Sequence, residues 1–167
     1  MNPYMGLLAN DVLKDLFPGI SDELINTVLK EILESESKSI RKYGGILYKD
    51  VDPILKELKK KYNLFIVSNC QDGYIEAFLD YFDFHYLFKD FESHGRTGKN
   101  KGENIKLVLE RNQLLHRETV YVGDTETDYK SSKKNNLDFI FCEYGFGQID
   151  INSTIKSIKQ FNELLQL

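Results

Sequence analysis

A chain of 167 residues is long enough for one well-buried core with a small accessory lobe, and too short for two full domains of typical size. With 41% hydrophobic and 29% charged residues it is an ordinary globular composition, and a net charge of -4 gives no electrostatic support to a nucleic-acid or anionic-membrane partner. No apolar stretch approaches the roughly 18 residues of a membrane helix, the start lacks a signal pattern, and two cysteines make no disulfide framework, so a reduced, cytoplasmic location is the expectation.

Residues 1–45 read as all helix. Leu8, Val12, Leu13 and Leu16 recur at helical spacing until Phe17-Pro18-Gly19 stops the run. Ser21 then stands as an N-cap, with Asp22 and Glu23 in the first turn, where acids are favoured. Leu24, Ile25, Val28, Leu29, Ile32 and Leu33 follow as one apolar stripe, and Gly44-Gly45 closes the region. From Tyr48 onward strands alternate with helices. Asp52-Pro53 is predicted as N-cap and first helical residue of a helix that turns Ile54, Leu55 and Leu58 inward and ends in the solvated run Lys59-Lys60-Lys61. Residues 64–67 (LFIV) are a continuous apolar run, as expected for a strand buried on both faces. A helix over 73–82, a short strand over 87–91, a glycine-rich loop and a helix over 102–112 come next. A strand over 120–122, a polar helix over 126–135 and a strand over 139–142 lead to a last amphipathic helix, which starts near Ser153 and places Ile155, Ile158, Phe161 and Leu165 on one side. Repeated strand–helix units imply a parallel sheet covered by helices, and ligands of such sheets bind beyond the carboxyl ends of the strands.

Three of those ends carry polar chemistry. The first apolar strand runs into Ser68-Asn69-Cys70, a hydroxyl followed by backbone N–H groups at a strand-to-helix turn, which suits an oxyanion. The bland alternative is a serine that only caps the next helix. The strand over 120–122 runs into Gly123-Asp124-Thr125-Glu126-Thr127-Asp128. Two carboxylates four apart, at a strand end and in the next first turn, can share a hard cation such as Mg²⁺, or can merely favour a helix N-terminus. Between them, the loop Gly95 to Glu103 offers a lysine that could neutralise a phosphate. Tyr144-Gly145-Phe146-Gly147 either lines the mouth of a site or makes an ordinary turn.

Together Ser68-Asn69, a loop lysine and Gly123-Asp124-Thr125-Glu126-Thr127-Asp128, in this order and on these elements, resemble the second, third and fourth motifs of the haloacid-dehalogenase-type hydrolases. The similarity is nearest to their phosphoglycolate-phosphatase-like branch with a helical cap. The resemblance implies an α/β fold, a Rossmann-like parallel sheet over residues 46–167, with a small all-helical cap remnant over 1–45. It implies a Mg²⁺-dependent phosphatase of a small phosphorylated metabolite that works through an aspartyl-phosphate. Ser68 and the Asn69 backbone would bind the transferring phosphoryl group, and Lys101 would stabilise its charge. Asp124 would hold Mg²⁺, with Asp128 as a further ligand or its partner. Lys99 fits the ungapped spacing to Asp124, whereas the run Lys101-Gly102-Glu103-Asn104-Ile105 looks more like the branch's own pattern, and Lys101 is the choice made here.

One departure is large. Family members begin with an apolar strand ending in D-x-D-G-[TS], whose first Asp attacks phosphorus and whose second is the general acid/base. This sequence has only Asp50-Val51-Asp52, which runs into Pro53 and reads as a helix start, and Cys70 reads as a small hydrophobe. The expectation is a sheet without its first, central strand, whose flanking strands either close together or receive something else. A chain inactive alone follows. The alternatives are a non-catalytic phosphate- or metal-binding regulatory protein, and one half of a split enzyme completed by an N-terminal segment in trans; an open slot also favours self-association.

Overall fold

The computed structural model describes residues 4, 6–147, 149 and 155–166, apart from the side chain of residue 33. Helix α1 (Ala9–Leu16) buries none of its residues. Helix α2 (Asp22–Tyr43) starts on the expected cap, the Ser21 side chain accepting the Leu24 N–H at 3.2 Å. Among the described residues of its apolar stripe, Ile25 alone is fully buried, while Leu24 is 52% exposed.

Helix α3 (Val51–Lys61) begins earlier than Asp52-Pro53 predicts. The first helical bond closes from the Ile54 N–H onto the Asp50 carbonyl at 3.1 Å, which makes Asp50 the N-cap, in a left-handed conformation with φ 62°. Pro53 then occupies the first turn, where its missing N–H has no intrahelical partner to lose. Asp52 pairs with Lys56 at 2.9 Å instead of capping. Ile54, Leu55 and Leu58 are buried as the spacing predicts.

Strand β1 (Leu64–Ser68), helix α4 (Tyr74–Phe82) and strand β2 (Phe88–Ser93) form one unit, with β1 and β2 parallel. The second half of α2 lies along α4, where Arg41 bonds Asp80 at 3.0 Å. The loop after β2 contains the short helix α5 (His94–Thr97), and α6 (Lys101–Arg111) follows. Strand β3 (Val120–Gly123), helix α7 (Glu126–Lys134) and strand β4 (Asp138–Cys142) complete the expected alternation. The fold is α/β and Rossmann-like, and every strand pair among the described residues is parallel.

Two expectations need correction. Among its described residues the last segment is not one continuous amphipathic helix. Ser153 lies outside the described residues, but residues Lys156–Ile158 form strand β5 beside β4, and Phe161–Gln166 form a 3-10 helix. Parallel pairing buries Ile158 against Ile140 and Cys142, and Phe161 packs on the Leu55 and Ile75 core, a gain that overrides a weak helical periodicity. Nor is β1 buried on both faces: each of its residues is half-buried, whereas Phe139 to Cys142 of β4 are fully buried. The described residues form two sheets, β1-β2 and β3-β4-β5, and β1 pairs with β2 on one side. Among the described residues no helix is long and apolar enough to cross a membrane.

Candidate phosphoryl-binding site

Strand β1 delivers Ser68 at its carboxyl end, and the chain turns there toward α4. The Cys70 N–H donates to Ser68 Oγ at 3.2 Å. The turn is backed by α5. The Gly95 N–H donates to the Cys70 carbonyl at 3.0 Å, and a Cβ at Gly95 would stand 1.9 Å from the Asp72 nitrogen, so only glycine lets the two backbones meet. Asn69 donates from Nδ2 to the Gly6 carbonyl at 2.8 Å, which fixes its amide, since a carbonyl needs a donor. Gly6 also abuts Thr125, so this one residue touches the chain just beyond both β1 and β3.

At the end of β3, Thr125 and Asp128 form a capping box for α7. Asp128 Oδ2 accepts from the Asp124 N–H at 3.2 Å, the Thr125 N–H at 3.0 Å and the Thr125 hydroxyl at 2.7 Å. Its other oxygen, Oδ1, takes the Lys101 ammonium at 2.5 Å, and the two side chains are 8% and 5% exposed. Burial by itself would raise the Asp128 carboxyl, but the Lys101 charge, its hydrogen bond and those from Thr125 outweigh it and hold the group below the usual carboxylate range. A second capping box, Asn100 with Glu103, starts α6 and sets Lys101 at the first helical position, facing α7.

Asp124 is clamped differently. Its Oδ2 accepts the Phe146 N–H at 2.7 Å, and the loop after β4 presses on it so closely that a Cβ at Gly147 would stand 2.0 Å from the Asp124 carbonyl oxygen. The loop Tyr144-Gly145-Phe146-Gly147 therefore holds Asp124 in place.

The structure brings Lys101 to Asp128. Lys99 is exposed, and its carbonyl accepts from His94 Nδ1 at 2.9 Å and from Asn104 at 3.2 Å. Asp50 and Asp52 stay at the start of α3, and Asp52 is taken by Lys56. Burial pushes the Cys70 thiol up, against a Ser68 hydrogen bond and the Lys101 charge, and Cys70 packs on the Leu55 and Ile75 core, as a small hydrophobe does. Three contributors went unnoticed in the sequence. Thr125-x-x-Asp128 and Asn100-x-x-Glu103 are spaced as capping boxes, a readable signal. Tyr121 carried only a faint one, a hydroxyl inside an apolar strand.

For a divalent cation the described residues offer Asp124, one carboxylate with one oxygen already bonded. Both Asp128 oxygens are engaged, and among the described residues no three His, Cys, Asp or Glu groups converge. Mg²⁺ takes one or two carboxylates, keeps several waters and draws further oxygens from a substrate phosphate. Asp124 fits that pattern, as a ligand for an ion shared with a bound phosphate.

A search of the curated proteins by sequence finds no match. Among solved structures, a Clostridium acetobutylicum protein assigned as a phosphatase superposes with a TM-score of 0.85 at 19% identity, over 99% of this chain and 81% of that one. A haloacid dehalogenase-like hydrolase assignment from Bacteroides fragilis gives 0.82 at 19%, over 96% and 79%. A Lactobacillus plantarum protein assigned as a phosphoglycolate phosphatase gives 0.82 at 16%, over 96% and 77%. At these identities the likeness concerns the fold. The family model described as "Haloacid dehalogenase-like hydrolase" matches residues 1–142, and the chain belongs to that family.

Proposed function

We propose that this chain presents the phosphoryl-binding side of a phosphatase site for small phosphate monoesters, and that it does not turn them over alone. The observation that carries this is the buried Lys101–Asp128 pair at the ends of the strands, between the Ser68 turn and the Asp124 loop. A buried ammonium held by one carboxylate is costly as mere scaffolding and serves a site that receives negative charge. The Ser68 hydroxyl and the N–H groups of its turn would donate to phosphate oxygens, and Lys101 would balance their charge. Asp124 would hold Mg²⁺, which when bound would neutralise the phosphoryl oxygens, and Asp128 would fix Lys101.

Transfer also needs an in-line nucleophile. Neither strand-end acid suits that role, because Asp124 is bonded to Phe146 and Asp128 to Lys101 and Thr125. The test is calorimetry with orthovanadate, with and without Mg²⁺, beside an aryl phosphate assay. Binding that loses its Mg²⁺-dependent part on Asp124→Ala, without hydrolysis, is expected. Failure of the wild-type chain to bind vanadate overturns the site, and hydrolysis abolished by Asp124→Ala overturns the inactivity.

A second reading has its own support, the half-exposure of the apolar strand β1. A segment bearing D-x-D-G-[TS] would add both a paired strand and the nucleophile. Mixing the chain with such a peptide should then raise its melting temperature and confer turnover. If neither changes, only the binding reading is left, with a regulatory use of phosphate.

A further inference from the structure

We infer that Tyr121 is a positioning residue of this site, tying the phosphate turn to the lysine that faces it. The inference rests on the phosphoryl-binding reading above, and it concerns a residue that none of the motifs includes. Tyr121 lies inside β3, and its ring packs with Val67 on the cluster of Ile105, Leu109 and Leu137. Its hydroxyl donates to the Val67 carbonyl at 3.1 Å, one residue before Ser68. The same hydroxyl stands 3.5 Å from Asp128 Oδ1, the oxygen that pairs with Lys101. One phenol therefore spans β1, β3 and α7 and touches the last link before each phosphate-binding group.

The packing alone would be met by phenylalanine. A hydroxyl placed in an apolar cluster costs free energy unless it is bonded, so its presence here is explained by the bond it makes. No backbone pairing joins β1 to β3 among the described residues, so this side-chain bond, together with the Asn69–Gly6–Thr125 contact at the strand ends, helps to set their separation where Ser68 and Lys101 must address one anion.

Tyr121→Phe keeps the ring and removes the tie. Vanadate affinity in this variant should fall about five- to tenfold, the worth of one hydrogen bond to a site with charged members. In a Lys101→Met background the same change should cost clearly less than in the wild-type chain, because part of what the tie does is to aim the Ser68 turn at Lys101. Replacing Tyr121 by p-aminophenylalanine, which restores a donor, should recover the affinity. Thermal unfolding of each variant confirms that it is folded; were Tyr121→Phe to unfold, the donor-bearing replacement carries the test, and weak vanadate binding by it overturns the role. Wild-type affinity in folded Tyr121→Phe, or losses that multiply independently with Lys101→Met, also overturns it and leaves the phosphoryl site standing. Absence of vanadate binding in the wild-type chain removes the phosphoryl reading and this inference together.

Discussion

Asp128 is the residue on which most of the site converges, and its chemistry sets a measurable pH response. Its carboxylate takes three donors from the Asp124–Thr125 turn and a buried ammonium from α6. Asp128→Asn would leave Lys101 buried and uncompensated, so a stability loss of about 3–5 kcal/mol is expected in urea unfolding, the range seen when one partner of a buried pair is removed. Because the folded group titrates below its unfolded value, its contribution is fully present above an unfolded pKa of about 4 and is lost as pH falls through the lower folded value. Wild-type stability should therefore drop below about pH 4, and the asparagine variant should lose that part of the slope. A wild-type curve parallel to the variant's would contradict the pair's role. The acids at 124 and 128 were readable from their spacing after an apolar strand. Which of them is free was not, since that depends on where Lys101 and Phe146 arrive from other parts of the chain.

Among elements, the loop between β2 and α6 separates what pattern can and cannot reveal. Its glycines and lysines announced a loop, yet the choice between Lys99 and Lys101 turned on two residues of phase. The Asn100 cap starts α6 so that Lys101 points to α7, and the helix α5 ahead of it presses Gly95 onto the Ser68 turn. Gly95→Ala should cost about 1–3 kcal/mol by overpacking against backbone that cannot rotate away. If the Ser68 turn binds phosphate as proposed, the substitution should also weaken vanadate binding, because that turn is the displaced segment; unchanged stability and binding would mean that the turn is not held from behind. The C-terminal segment failed in the opposite direction. Its apolar residues had helical spacing, but the edge of β4 was available, and pairing with an existing strand outweighs the intrinsic preference of three residues.

Across the whole molecule, burial is uneven. β4 and α6 carry fully buried residues, whereas α1 has none and the first half of α2 leaves Leu24 and Ile32 exposed. Local opening is cheapest where few apolar contacts are lost, so amide hydrogens of α1 and early α2 should exchange fastest among the helices. Those of β4 and α6 should be the slowest, and exchange mass spectrometry of the two halves would show it. Uniform protection would contradict the reading of α1 and early α2 as weakly anchored. The alternation of strands and helices, the polar strand ends and the missing D-x-D-G-[TS] pattern were all determined by the sequence itself, because period and residue chemistry are local properties. Tertiary structure alone decided which carboxylate is committed, which lysine is buried, and that a tyrosine hydroxyl reaches from β3 to the β1 backbone. Those outcomes depend on contacts between residues tens of positions apart, which no local pattern encodes.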